Sequence, residues 1–297
     1  MTQKEQHMQA LNNLTERLKK DPNVVALLVY GSLAYGDVWK RSDIDAEIIV
    51  RDGTVYNKTG WRYYIQDGVE ISISGINEES NFKRYLQRVR NGFDHGIYGK
   101  SRLVFSKDEA LFQMFEDTRK IGEDDAPRAF CSFMGWVIGM MHKAEKYVTV
   151  YDNPLYAQRF LQLCAPNIAS MEMIRHRENP TRESVLQAME LNPELMHEVF
   201  TIPSTMAMTS DDVQRTLKIM DDYIMEHVEW WSRHILRFLS DGQVKTVSHI
   251  VKQCGDAPLE YMVEKGIIEQ TTEPHRLFKK SSLTLDEAAY FYIKEDF

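Results

Sequence analysis

Leu27-Leu28-Val29-Tyr30-Gly31-Ser32, ten intervening residues, then Asp43-Ile44-Asp45 ahead of Ile48-Ile49-Val50 form the most telling stretch of this chain. The apolar run predicts a buried strand over 24–30 and the Gly-Ser pair a turn. A polar excursion follows, and a second strand over 44–50 carries two carboxylates at i and i+2. Side chains alternate across a strand, so Asp43 and Asp45 share one face and Ile44 takes the other. Aspartate is depleted in strands, which sets this pair apart from ordinary strand residues. Two carboxylates on one face, beside a glycine turn, suit a hard divalent cation held against phosphate oxygens.

Ahead of this stretch, residues 5–20 show helical periodicity, with Met8, Leu11, Leu14 and Leu18 on one side. Asp21-Pro22-Asn23 stops that helix. Trp61–Gln66 and Val69–Ser74 flank Asp67-Gly68, a strong hairpin signal. On the second arm Val69, Ile71 and Ile73 face one way, and Glu70, Ser72 and Ser74 the other. Helical segments follow around 78–91 and 108–116. The acidic 122–127 segment, Gly-Glu-Asp-Asp-Ala-Pro, reads as a linker. Beyond it the pattern is helical over 128–149, 154–176, 181–190 and a long 210–239. After Asp241-Gly242 come two short helices, 245–253 and 257–265, then a hairpin turning at Glu273-Pro274-His275. Helix, helix, hairpin is a winged-helix-like order. The expected organisation is α+β: a first domain over 1–122 with a mixed sheet flanked by helices, a helical domain over 126–239, and a small winged-helix-like segment over 240–297.

The formal net charge of the 297 residues is −8. A chain that grips nucleic acid mainly by charge is basic, so nucleic acid is not the expected partner. Residues 240–297 hold seven Lys/Arg and ten Asp/Glu, a charge of −3, unlike a DNA-binding wing. The start of the chain carries no signal-peptide pattern, and the longest apolar run, 130–141, is shorter than the roughly 20 residues that span a bilayer. Cys131, Cys164 and Cys254 lie far apart, with no CxxC spacing for zinc or a disulfide framework. The expectation is a reduced, cytoplasmic protein with no membrane partner.

Gly31 and Gly36 have the spacing of a P-loop's two glycines. Asp37-Val38 stands where that loop needs Lys-Ser/Thr, and the lysine supplies the charge on the β/γ-phosphates. A P-loop NTPase is rejected. The turn then has two readings: a strand-to-loop turn that needs glycine for its backbone angles, and a cradle in which backbone amides and the Ser32 hydroxyl meet phosphate. Glu70, on the polar face of its hairpin, is the candidate third carboxylate; Asp67 has a turn role.

Hydrophobic strand, Gly-Ser, a ten-residue spacer, Asp-Ile-Asp preceded by Ser42, and a later acidic residue on a neighbouring strand together resemble the DNA polymerase β-like nucleotidyltransferase superfamily. The plan of this domain followed by a helical one is similar to the antibiotic-modifying members, kanamycin nucleotidyltransferase among them. The motif resemblance covers residues 24–75. It implies that Asp43, Asp45 and Glu70 bind one or two Mg²⁺ ions. It implies that Gly31 and Ser32 hold the nucleotide's phosphates, with Ser42, Lys40 and Arg41 as further contacts. The implied reaction moves an NMP, AMP from ATP, to a hydroxyl of a small-molecule acceptor and releases pyrophosphate. Some antibiotic-modifying relatives take a general base from the helical domain, for which Glu145 is the candidate by position, and a homodimer is possible by the same analogy. The alternative is a weakly active or inactive member serving as a nucleotide-binding or interaction module.

Overall fold

The structure is a computed structural model that describes residues 2–36, 38–57, 60–88, 97–279 and 282–293. The chain divides into two compact units, Met1–Ile121 and Gly122–Phe297, so the division falls at the acidic 122–127 segment. The end of the expected 78–91 helix lies outside the described residues.

Helix α1 (Gln3–Lys20) opens the first unit. Thr2 and Glu5 close a reciprocal capping box, each side chain accepting the other's amide. Its apolar side meets one face of a five-stranded mixed sheet. The strands are β1 (Val24–Tyr30), β2 (Ile44–Val50), β3 (Arg62–Gln66), β4 (Val69–Glu78) and β5 (Arg102–Ser106), in the spatial order β3-β4-β2-β1-β5. β2 and β4 run parallel; the other neighbours are antiparallel. Leu27, Val29, Ile44, Ala46, Val69, Ile71 and Ile73 pack beneath Ala10 and Leu11 of α1. The opposite face buries Ala26, Leu28 and Ile49 against Phe82 and Leu86 of α3 (Glu79–Arg88) and against Leu111 and Phe115. Helices on both faces explain why β1 is a continuous apolar run rather than an alternating one.

The β3–β4 hairpin turns at Asp67 and Gly68, both at positive φ (53° and 75°), the backbone that a two-residue type I′ turn demands. Asn13 of α1 donates to the Asp67 carboxylate at 2.6 Å. β4 runs four residues further than its alternation suggests. Its parallel pairing with β2 continues past a bulge, where Ala46 opposes Ile73 but Glu47 opposes Gly75, leaving Ser74 as the extra residue.

The second unit begins with the long helices Ala126–Thr149 and Pro154–Arg175. The expected single helix over 210–239 is two, Ser210–Glu226 and Val228–Leu239. The indole N–H of the fully buried Trp231 donates to the Ile224 carbonyl at 2.9 Å, joining the His227 amide (3.3 Å) on a carbonyl of the first helix's last turn. Glu172, with no exposed surface, ties these layers together by accepting from Arg175 (2.6 Å) and the Tyr223 hydroxyl (2.8 Å). All three cysteines are buried and free. The winged-helix-like order is present as β6 (Lys245–Thr246), two short helices, β7 (Glu269–Arg276) and β8 (Thr284–Phe291), in a sheet ordered β6-β8-β7. The hairpin does not turn at Glu273-Pro274-His275, as the sequence suggests. These residues lie inside β7, with Pro274 opposite Asp286. β7 is an edge strand, where a residue without an N–H costs no ladder bond on its open side. No helix among the described residues is long and apolar enough to cross a membrane.

Candidate active site

Ile44 is buried against α1, so its neighbours Asp43 and Asp45 face the other side of the sheet. β2 begins at Ile44, which makes Asp43 the last residue of the preceding loop and Asp45 the second of the strand. The parallel register extends the row. Asp45 opposes Ser72 on β4 and Ile44 opposes Ile71, which places Glu70 next to Asp43 on the same face. On the other side Asp45 opposes Tyr30 of β1. The Ser72 hydroxyl donates to Asp43 Oδ2 at 2.6 Å, fixing that carboxylate from the neighbouring strand.

The turn and the carboxylates meet directly. Gly31 has φ 71° and ψ −156°, a region that only glycine occupies readily. A Cβ built there would stand 2.5 Å from Asp45 Oδ2. Gly31 is thus demanded twice, by its backbone angles and by the carboxylate against it. Gly31 caps the short helix α2 (Ser32–Tyr35), closed by Gly36 at φ 92°, whose amide donates to the Ser32 carbonyl. The first amides of such a turn have no partner within the helix, and these belong to Ser32 and Leu33 beside Asp45.

The loop between the turn and Asp43 is braced from α1. The buried His7 places Nε2 at 2.8 Å from the Ser42 carbonyl and Nδ1 at 2.8 Å from the Gln3 carbonyl. Lys4 reaches the Gly36 carbonyl at 3.5 Å. Ser42 is occupied locally, its hydroxyl accepting the Trp39 amide at 3.0 Å while its own amide donates to the Trp39 carbonyl. Its visible role is therefore to shape the loop. Lys40 and Arg41 are exposed, and the Arg41 guanidinium lies 6.0 Å over the Trp39 ring. Glu145 is exposed on the helix Ala126–Thr149 of the second unit.

A third carboxylate on this face escaped the sequence reading, although the period of two runs on from Asp43 and Asp45 to Glu47. Glu47 is buried and accepts hydrogen bonds from Asn77 and from the Tyr98 hydroxyl (3.1 Å). Burial pushes its pKa above the usual carboxylate range, against the pull of those two donors. Burial also raises the Tyr98 hydroxyl, helped by the Glu47 charge. Tyr30 is pushed up to about 12 by burial, with the charges of Asp45 and Glu47 adding to the rise and a hydrogen bond with Ser74 opposing it. Both phenols stay protonated at neutral pH and can only lend their O–H dipoles to the carboxylates.

Among the described residues no three His, Cys, Asp or Glu side chains converge as a metal-binding group. The structure brings Asp43 and Asp45 together with Gly31 and Ser72. It sets the exposed Glu70 in line with them but does not close it onto the pair. A polar recess of about 280 Å³ lies at the far end of the sheet, lined by Val25, Arg51, Glu79, Lys107, Asp108 and Glu109. Most of its charges are committed locally: Lys83 pairs with Glu79 and Asp108, Lys107 donates to the Asp21 carbonyl, and Arg51 to the Pro22 carbonyl.

Residues 12–110 match the family model described as polymerase beta, nucleotidyltransferase. The matched span takes in most of the first unit, which is thus similar to polymerase β-type nucleotidyltransferase domains. Among solved structures, the nucleotidyltransferase-like protein from Exiguobacterium sibiricum 255-15 is similar, with a TM-score of 0.63 and 12% identity, over 96% of this chain and 99% of that one. At that identity the likeness is one of fold. No curated relative matches the chain. The matched span contains the Gly31–Ser32 turn and the Asp43/Asp45 pair, and general nucleotidyl transfer is the chemistry of that family.

Proposed function

We propose that the chain is a cytoplasmic, Mg²⁺-dependent enzyme that transfers an NMP group, AMP from ATP, to a hydroxyl of a small-molecule acceptor and releases pyrophosphate. The observation that carries this reading is the contact of the Gly31 turn with Asp45, because it puts a phosphate-cradling turn and two carboxylates within one small volume. Mg²⁺ is commonly held by one or two carboxylates plus substrate phosphates rather than by an all-protein cage. Asp43 and Asp45 supply hard oxygen donors on one face, so the donor set fits the ion without a third side chain; Glu70 is the next carboxylate in the row. When bound, the metal neutralises phosphate charge and lowers the pKa of the acceptor hydroxyl.

The chain's own part is binding and orientation. The Ser32 hydroxyl and the turn's amides take the β/γ-phosphates. Ser72 holds Asp43, and Gly31 leaves room for the Asp45 carboxylate. The acceptor oxygen bonds to the α-phosphorus while the bond to pyrophosphate breaks, its electron pair leaving on pyrophosphate. Positioning and charge neutralisation provide most of the rate. The acidic net charge of −8 and the absence of basic excess in residues 240–297 support a small acceptor over a polynucleotide.

Asp45→Asn tests the assignment by pyrophosphate release from each NTP with Mg²⁺. The expected loss is on the order of 10³-fold, several kcal/mol of transition-state stabilisation. Unchanged release in a folded Asp45→Asn variant overturns the metal role. A second reading, nucleotide binding without transfer, is favoured by the failure of a third carboxylate to close on the pair. Saturable Mg–ATP binding with no pyrophosphate release from the wild-type chain would select it.

A further inference from the structure

We infer that the exposed side chains of Tyr63 and Ile65 on β3 form the shelf on which the acceptor lies, and that the acceptor is a neutral or cationic hydroxyl compound with a flat ring face. The inference rests on the nucleotidyl-transfer reading through the direction of in-line attack. Register places Tyr63 opposite Ser72 and Ile65 opposite Glu70, and Ser72 in turn opposes Asp45. One row across the site face therefore reads Tyr63, Ser72, Asp45, Tyr30. The pyrophosphate side of this row is β1, where the Gly31–Ser32 turn begins. The attacking oxygen must approach the α-phosphorus from the side opposite the leaving group, which is the β4–β3 side. The new O–P bond forms there as the bond to pyrophosphate breaks, the electron pair leaves on pyrophosphate, and the hydroxyl proton passes to water.

What the acceptor meets on that side is apolar. Tyr63 is 64% exposed and Ile65 71% exposed, on an edge strand. Covering exposed apolar side chains is favourable, so two of them beside a polar site give a ring face a place to lie. Neighbouring strands are about 4.8 Å apart, so β3 lies roughly 10 Å from β2. A hydroxyl over Asp45 and a ring over Tyr63 therefore fit within one small molecule. The net charge of −8 disfavours a polyanionic acceptor such as a polynucleotide. Tyr64, 52% exposed, opposes Ile71 and points to the α1 side, so it supplies a matched control.

The test uses the full chain with Mg²⁺ and a non-hydrolysable α,β-methylene ATP, and benzyl β-glucoside as the probe. Saturation-transfer NMR reads the approach of the probe's ring protons to the protein. In parallel, pyrophosphate release from ATP is measured with the probe and with glycerol, which carries hydroxyls but no ring. The wild type is expected to show saturation transfer and a greater stimulation by benzyl β-glucoside than by glycerol. Tyr63→Ser/Ile65→Ser is expected to abolish the NMR signal and raise the probe's KM roughly tenfold or more, whereas Tyr64→Ser behaves as wild type. A wild-type chain that releases pyrophosphate without saturation transfer to the ring, or a ring signal that survives in the double variant, overturns the shelf. A ring signal that the double variant abolishes, in a wild type that releases no pyrophosphate, supports the shelf and overturns the transfer reading instead.

Discussion

Gly31→Ala is the substitution on which the geometry of the site makes its sharpest demand. Gly31 sits at φ 71° and ψ −156°, and placing an L residue there costs about 1–3 kcal/mol in backbone strain. The new methyl would also stand 2.5 Å from Asp45 Oδ2, where ordinary contact begins at 3.4 Å, so the carboxylate must withdraw by about 0.9 Å. A misplacement of about 1 Å at a reacting centre lowers rates roughly 10²-fold. The expected outcome is a fall in melting temperature of roughly 3–12 °C together with a fall of about 10²-fold in pyrophosphate release. Gly53→Ala separates the two causes. Gly53 also has positive φ, 76°, but a Cβ there meets nothing within 4 Å. It should cost stability, about 1 kcal/mol, and leave the rate alone. Circular dichroism melting and a coupled pyrophosphate assay read both effects. Wild-type activity in Gly31→Ala, or equal activity losses in the two variants, would refute the close packing of turn and carboxylate.

Three further outcomes follow from the same face and its braces. Asp43→Asn should resemble Asp45→Asn in abolishing metal-dependent release while keeping the fold, and a variant with more than about a tenth of wild-type activity would remove Asp43 from the metal set. His7→Phe removes the ring whose two nitrogens face the Ser42 and Gln3 carbonyls, one tautomer donating to one of them. At about 0.5–1.5 kcal/mol for one hydrogen bond, the loss should be about 1 kcal/mol, with faster amide exchange over residues 38–42; unchanged exchange there would show that the loop does not depend on the brace. Glu47→Gln should be neutral at acid pH and stabilising at alkaline pH. The folded pKa of Glu47 is raised by burial. Wild-type stability therefore declines as pH rises from the unfolded carboxylate value, about 4.3, through the folded one, by about 1.4 kcal/mol for each unit of elevation. Glutamine, uncharged, can accept from Asn77 on its carbonyl oxygen and donate its NH2 to the Tyr98 hydroxyl oxygen, so melting curves of the two proteins should coincide near pH 4 and separate by pH 8; the opposite order would show that Glu47 is favourably ionised.

Much of the first unit is legible in its residues. The bounds of β1 and β2 follow from apolar runs that end at Gly31 and Asp52-Gly53, and the Asp67-Gly68 turn follows from two residues that tolerate positive φ. The shared face of Asp43 and Asp45 follows from the period of a strand. The second unit is less legible. One apolar period over 210–239 conceals the break at His227, because the indole that donates to the Ile224 carbonyl arrives from seven residues on. Pro274 reads as a turn until the sheet order shows that it lies on an open edge.

The type of chemistry is written in short runs of residues: glycine turn, carboxylate pair and apolar strands are local patterns, set by the backbone angles and alternation of a few adjacent positions. Which groups act together is settled in three dimensions. The antiparallel register of β1 on β2 presses Gly31 against Asp45, and the parallel register of β4 on β2 gives Asp43 the Ser72 hydroxyl and sets Glu70 beside it. His7 reaches Ser42 across 35 positions of chain, and Glu47 becomes a buried carboxylate only once Tyr98 and Asn77 close on it. Those pairings depend on strand register and on segments far apart in the chain, which no local pattern of residues encodes.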